Sequence, residues 1–261
     1  MIMKKKSKSK RIPPKPDHLI FAGETHIGLV REVNEDCFCY VDYPQESSSL
    51  AVVTDGIGGH QSGDIASTLC CRRFVSAWKK KRMGNVSSVE KIKNFLNEQI
   101  IEVNNDLFAQ NSRKNFDHPM GTTIAAAVFT SENVITAHAG DSRIYEVCDG
   151  KIQQLTQDHS FVAELVQKGI ISEREAKIHP FSHVISRSVG PTENMQPEIN
   201  VFKRKPGARF LLCSDGLTIH TSKEQLLEFM SLDSPQNALD KMMKEALIQG
   251  GEDNITIICA F

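Results

Sequence analysis

Apolar residues fall along this chain in two rhythms. Leu50, Ala51, Val52 and Val53 form a short run that stops at Asp55-Gly56 and predicts a buried strand with Asp55 at its end. From about 64 to 81, Ala66, Leu69, Cys70, Phe74, Ala77 and Trp78 recur at helical spacing. Ile92, Leu96, Ile100, Val103 and Leu107 repeat the pattern over a second helix, from 89 to about 108. Strand-like runs follow at 123–129, 134–138, 144–147 and 152–155, with the turn formers Ser131-Glu132-Asn133 and Asp149-Gly150 between them. Their order predicts an antiparallel meander. Residues 161–179 read as two short helices parted by Gly169, the second with Ser172 as N-cap. A strand at 209–213 ends on Ser214-Asp215-Gly216, helices are predicted at 222–230 and 235–249, and a last strand at 255–260 leaves directly from Asp253-Asn254.

Strands grouped between helices predict an α+β protein with a two-sheet core and helices outside. No repeat or linker interrupts residues 19–261, which read as one domain behind a leader at 1–18. Seven cations and no acid occupy the first sixteen residues, so a chain of net charge −1 leaves −8 for the rest. Such an arm can tether a protein to a membrane surface, nucleic acid or an acidic partner. Short lysine-rich arms are ordinarily solvated and disordered, and the leader is read that way, with no nucleic-acid partner expected. Ile12-Pro13-Pro14-Lys15-Pro16 is not the apolar core of a signal peptide, and no apolar run of about eighteen residues occurs. The seven cysteines are odd in number and lack paired Cys-x-x-Cys motifs, which argues against a disulfide framework and a zinc ribbon. A cytoplasmic location is expected.

Asp55, Asp215 and Asp253 each stand at the end of an apolar strand or just before one, beside Gly56, Gly216 and Asn254. A strand terminus fixes a side chain well, and carboxylate oxygens are natural ligands for magnesium or manganese. If the three converge, repulsion at ~4 Å is roughly 4 kcal/mol per pair at an effective dielectric of 20, which a divalent ion would relieve. Taken singly, an Asp-Gly pair is more often a plain turn, as at Asp149-Gly150. The glycine-rich stretch from Asp55 to Gly63 is neither Gly-x-Gly-x-x-Gly nor a lysine-terminated phosphate loop.

Taken together, seven motifs resemble, in order, the signatures of the metal-dependent (type 2C) protein phosphatases. They are Arg31-Glu32-Val33-Asn34-Glu35-Asp36, Asp55-Gly56-Ile57-Gly58-Gly59-His60, Gly121-Thr122-Thr123, Ala139-Gly140-Asp141-Ser142-Arg143, Leu155-Thr156-Gln157-Asp158-His159-Ser160, Ser214-Asp215-Gly216-Leu217 and Gly251-Glu252-Asp253-Asn254-Ile255-Thr256. The resemblance runs from about Gly23 to Ala260. It implies an α-β-β-α sandwich of two mixed, mostly antiparallel sheets flanked by helices. It also implies a centre of two manganese or magnesium ions that activates a water against phosphoserine or phosphothreonine.

By the same resemblance, Asp55 bridges both ions, the Gly56 carbonyl ligates one, and Asp215 and Asp253 hold the other. Asp36, with Glu35, acts through metal-bound water or as an outer ligand, Arg31 binds phosphate, and Asp141 helps hold a third, weaker metal. Eukaryotic relatives carry a histidine where Ile57 stands; His60 ends the stretch as in bacterial relatives, either as the acid for the leaving oxygen or as a structural hydrogen-bonding group. His138 and His159 read as structural. The segment between Ser160 and Pro197 matches the family's flap. The expected partners are phosphorylated proteins and an opposing serine/threonine kinase in a bacterial signalling system, with the chain a monomer. The alternative from another class is an inactive phosphoprotein-binding regulator, which would be expected to have lost an acidic ligand.

Overall fold

The computed structural model describes residues 18–58, 62–114 and 118–261. His60 and the leader up to residue 17 lie outside the described residues. The chain runs through β1 (Phe21–His26), β2 (Asp36–Val41), β3 (Ser48–Ile57), α1 (Gly63–Lys81), α2 (Val89–Lys114), β4 (Gly121–Thr122), β5 (Ile124–Thr130), β6 (Asn133–Ala139), β7 (Arg143–Cys148) and β8 (Lys151–Gln154). It continues through α3 (Phe161–Gln167), α4 (Glu173–Lys177), β9 (Glu198–Lys203), β10 (Arg209–Cys213), α5 (Asp215–Thr218), α6 (Lys223–Met230), α7 (Pro235–Ile248) and β11 (Ile255–Ala260).

One sheet has the order β1-β11-β10-β7-β8; the other has β2-β3-β5-β6-β9, with β4 paired to β3. Every described pairing is antiparallel, so the expected mixture of strand directions is replaced by a purely antiparallel pattern. Phe129, Phe210, Val53, Leu212 and Ile258 fill the seam between the sheets. The α1 stripe of Ala66, Cys70, Phe74 and Trp78 and the α2 stripe of Ile92, Leu96, Ile100 and Leu107 cover the outer face of the second sheet. Leu226, Phe229, Leu239 and Met242, from α6 and α7, cover the first. Alternate residues of each strand thus meet the facing sheet or a helix layer, and the result is the α-β-β-α sandwich.

The expected meander is corrected in one respect. β5 and β6 pair in one sheet, whereas β7 and β8 pair in the other. The chain changes sheets at Gly140-Asp141-Ser142, where Gly140 takes φ +111°. A side chain there would also press on Thr123 at 2.6 Å, so glycine alone suits this crossing. The second helix runs to Lys114, past the expected end near Phe108, because its last turns are anchored by polar contacts. Asn111 donates to the carbonyls of Met120 and Gly190 and accepts from the Met120 N–H, and Asn104 binds Gly190, Thr192 and Glu193.

Candidate metal centre

Five carboxylates converge on one end of the sandwich, and both sheets contribute. Asp36 opens β2 directly opposite Asp55 on β3. Asp141 follows β6, Asp215 begins α5 immediately after β10, and Asp253 precedes β11. Local hydrogen bonds hold each backbone in place. The Asp55 N–H donates to Thr123 Oγ1 at 2.9 Å, while the Asp55 carbonyl accepts from Thr123 N–H at 2.8 Å and from Thr122 Oγ1 at 3.0 Å. Thr123 Oγ1 also pairs with Ser142 Oγ at 2.7 Å, which joins the Asp55 strand to the crossing that carries Asp141. Across the seam, Ser214 Oγ donates to Asp36 Oδ2 at 2.7 Å and accepts from the Thr256 N–H at 3.0 Å.

Asn254 assembles the remaining side. Its Nδ2 donates to the carbonyls of Ile27 and Val33, and its Oδ1 accepts from the Glu35 N–H. That fixes the loop bearing Arg31, whose Nη2 donates to Asp253 Oδ2 at 2.7 Å. Gly56 lies where a side chain would meet the Gly63 carbonyl at 2.3 Å, so α1 starts hard against the β3 end only because this residue has none. The structure therefore brings together Arg31, Asp36, Asp55, Gly56, Asp141, Asp215 and Asp253.

Crowding marks their electrostatics. Burial, and then the neighbouring Asp36, Asp215 and Asp141, holds the Asp55 carboxyl well above the usual range. Burial and then Asp215 lift Asp141 to about 8. Burial lifts Asp36 to about 7 against the opposing hydrogen bonds of Thr256 and Ser214. Burial and then Asp253 raise Asp215 to about 6. Asp36 Oδ1, Asp141 Oδ1 and Asp215 Oδ1 are buried and accept no hydrogen bond. Such orphaned anionic oxygens are costly unless a cation or proton satisfies them, so the donor set fits hard divalent ions. No three of these carboxylates bring oxygens within 4.8 Å of one another; among the described residues only His138, His159 and Glu198 form such a trio. A ring of carboxylates shared between two ions is wider than the set around a single ion.

The place of His159, a structural residue on the sequence pattern, shows a connection the sequence does not reveal. It stacks on His138 with ring centroids 4.5 Å apart, and Nε2 stands 3.3 Å from Glu198 Oε2. No signal in one sequence joins residues 138, 159 and 198; the link comes from β6–β9 pairing, which sets His138 opposite Glu198.

The family model for protein phosphatase 2C matches residues 22–249. The serine/threonine phosphatase stp of Listeria monocytogenes is 33% identical over 235 residues, covering 90% of this chain and 92% of its own. The Streptococcus agalactiae serine/threonine phosphatase structure superposes with a TM-score of 0.86 at 30% identity, covering 94% of this chain and 99% of its own. The catalytic domain of the phosphatase PstP in complex with two manganese ions gives a TM-score of 0.79 at 30% identity, with 93% and 97% covered. Fold and sequence agree along nearly the whole described chain, and it belongs to the protein phosphatase 2C family.

Proposed function

We propose that this chain hydrolyses phosphoserine and phosphothreonine in proteins. Asp55, Asp215 and Asp253, with Asp36 and the Gly56 carbonyl, hold two manganese or magnesium ions, and Asp141 helps hold a third. The observation that carries the reading is the set of buried oxygens on Asp36, Asp141 and Asp215 that accept no hydrogen bond beside an arginine. Divalent ions supply positive charge for the phosphoryl oxygens and acidify water for in-line attack.

The remaining work belongs to the protein. Arg31 uses one Nη2–H on Asp253 and is half-exposed, which leaves further donors of its planar fork for phosphate oxygens. Ser214 holds the Asp36 carboxylate and the Thr123 hydroxyl holds the Asp55 backbone, so little reorganisation is needed when substrate arrives. His60 either gives a proton to the leaving serine or threonine oxygen or secures its own loop. Among the described residues no helix is long and apolar enough to cross a membrane. A bacterial signalling role opposite a serine/threonine kinase is the setting that suits this chemistry.

Every acidic position is present, so the binding-only alternative has no observation in its favour. Hydrolysis of a phosphothreonine peptide should depend on added manganese or magnesium. Asp215→Asn should lower kcat by at least about 100-fold, the order expected when a metal site is dismantled. Undiminished turnover in excess chelator, or in the Asp215→Asn protein, would reject the mechanism.

A further inference from the structure

Behind the acid cluster lies a second polar knot, built on His159. Its backbone N–H donates to the Gly140 carbonyl at 2.9 Å, and its Nδ1 accepts from the Gly140 N–H at 3.3 Å. Gly140 has no side chain to be gripped by, so its two backbone groups are the handles available, and His159 takes both. The residue that follows is Asp141.

The same residue closes the base of the segment matching the family's flap. The His159 carbonyl accepts from Ser186 N–H at 2.9 Å, and the Phe161 N–H donates to the Val184 carbonyl at 2.8 Å. Beyond this base, Val189 exchanges both backbone hydrogen bonds with Thr122, whose hydroxyl holds the Asp55 carbonyl. His159 is itself confined by the flat stack on His138, whose Nε2 donates to the Gln157 carbonyl at 2.8 Å, and by Glu198 at its far nitrogen.

A cation does not explain this knot. The two rings lie within 4° of parallel, so a single ion could not sit in both ring planes, where imidazole lone pairs point. The Nδ1 lone pair of His159 is engaged by Gly140, which leaves Nε2 as the N–H that donates to Glu198. Burial also pushes the His159 imidazole down to about 4, which keeps this neutral tautomer near pH 7.

We propose that His159 is a positioning residue that sets the Asp141 carboxylate within the acid cluster and ties its placement to the base of the 161–185 segment. This rests on the acid cluster being the cation site, and the experiment separates the two claims. Two neutral replacements divide the contacts of the ring. In His159→Asn the side-chain oxygen stands near the Nδ1 place and can accept from Gly140, but nothing reaches Glu198. In His159→Gln the amide reaches toward Glu198, but no acceptor is left for Gly140.

Manganese binding is followed by the electron paramagnetic resonance signal of the free ion, with Asp141→Asn defining the component that needs Asp141. His159→Asn should keep that component within about threefold, while His159→Gln should weaken it roughly tenfold or more, the scale of losing a supporting contact behind a ligand. The melting temperature of each variant is measured alongside. Wild-type manganese binding in both variants, or equal losses that simply follow the melting temperature, would overturn the positioning role. If wild type binds no manganese, or Asp215→Asn binds it as wild type does, the cation-site reading fails instead.

Discussion

Asp36 and Asp141 are each less than a tenth exposed, yet each keeps one oxygen that no donor reaches. In the metal-free chain a proton is the simplest remedy, which is why burial holds these carboxyls at about 7 and about 8. An unfolded aspartate titrates near ~3.9. Between that value and about 8 the folded chain therefore binds protons that the unfolded chain does not. The stability from this source is fully present below the unfolded pKa and is lost as pH rises through the folded values. His138 and His159, held neutral by burial, act in the opposite sense below their ordinary value of 6.5. The informative window is thus from about pH 8 down to about pH 7. Calorimetric melting of the metal-free protein should give a higher Tm at the lower end, by up to about 1.4 kcal/mol per pH unit for each proton held. Saturating magnesium should raise Tm more at the upper end, where fewer protons compete. A metal-free Tm that is flat or falls on acidification across this window would contradict the crowded-carboxylate picture.

At the scale of elements, three pieces of chain meet on Thr123. Its hydroxyl accepts from the Asp55 N–H at the end of β3 and pairs with Ser142 at the crossing between sheets. Thr123→Val keeps the shape but leaves the buried Asp55 N–H without its acceptor. That should cost about 1–3 kcal/mol of stability by denaturant titration and weaken manganese binding. Unchanged stability together with unchanged metal affinity would mean that β3 is held by something else. Much of this framework was legible in the sequence. The apolar run at 50–53 named the strand that delivers Asp55, and the periodic stripes named α1 and most of α2. β1, β2 and β9 were not legible. β2 is Asp-Cys-Phe-Cys-Tyr-Val, with its middle residues only partly buried, so no clean alternation of apolar and polar positions appears. β9 is an edge strand with charged ends. The end of α2 was hidden because its anchor is the polar Asn111 rather than another apolar residue. The crossing at Gly140 was hidden because sheet membership is decided by packing, not by the turn itself.

Across the whole molecule, the sandwich is what turns scattered aspartates into a site. The sheet containing β2, β3 and β6 brings Asp36, Asp55 and Asp141; the sheet containing β10 and β11 brings Asp215 and Asp253. Ser214 reaching Asp36, and Asn254 reaching the Arg31 loop, clamp the two contributions together from opposite sheets. The residues were nameable from their motifs, but their convergence depends on contacts between distant parts of the chain, such as the one that spans 222 positions between Arg31 and Asp253. The most direct measurement is anomalous diffraction at the manganese edge from crystals grown with manganese chloride. Density should appear among Asp55, Asp215 and Asp253. Such crystals with no anomalous density there, or with it confined to His138, His159 and Glu198, would contradict the account.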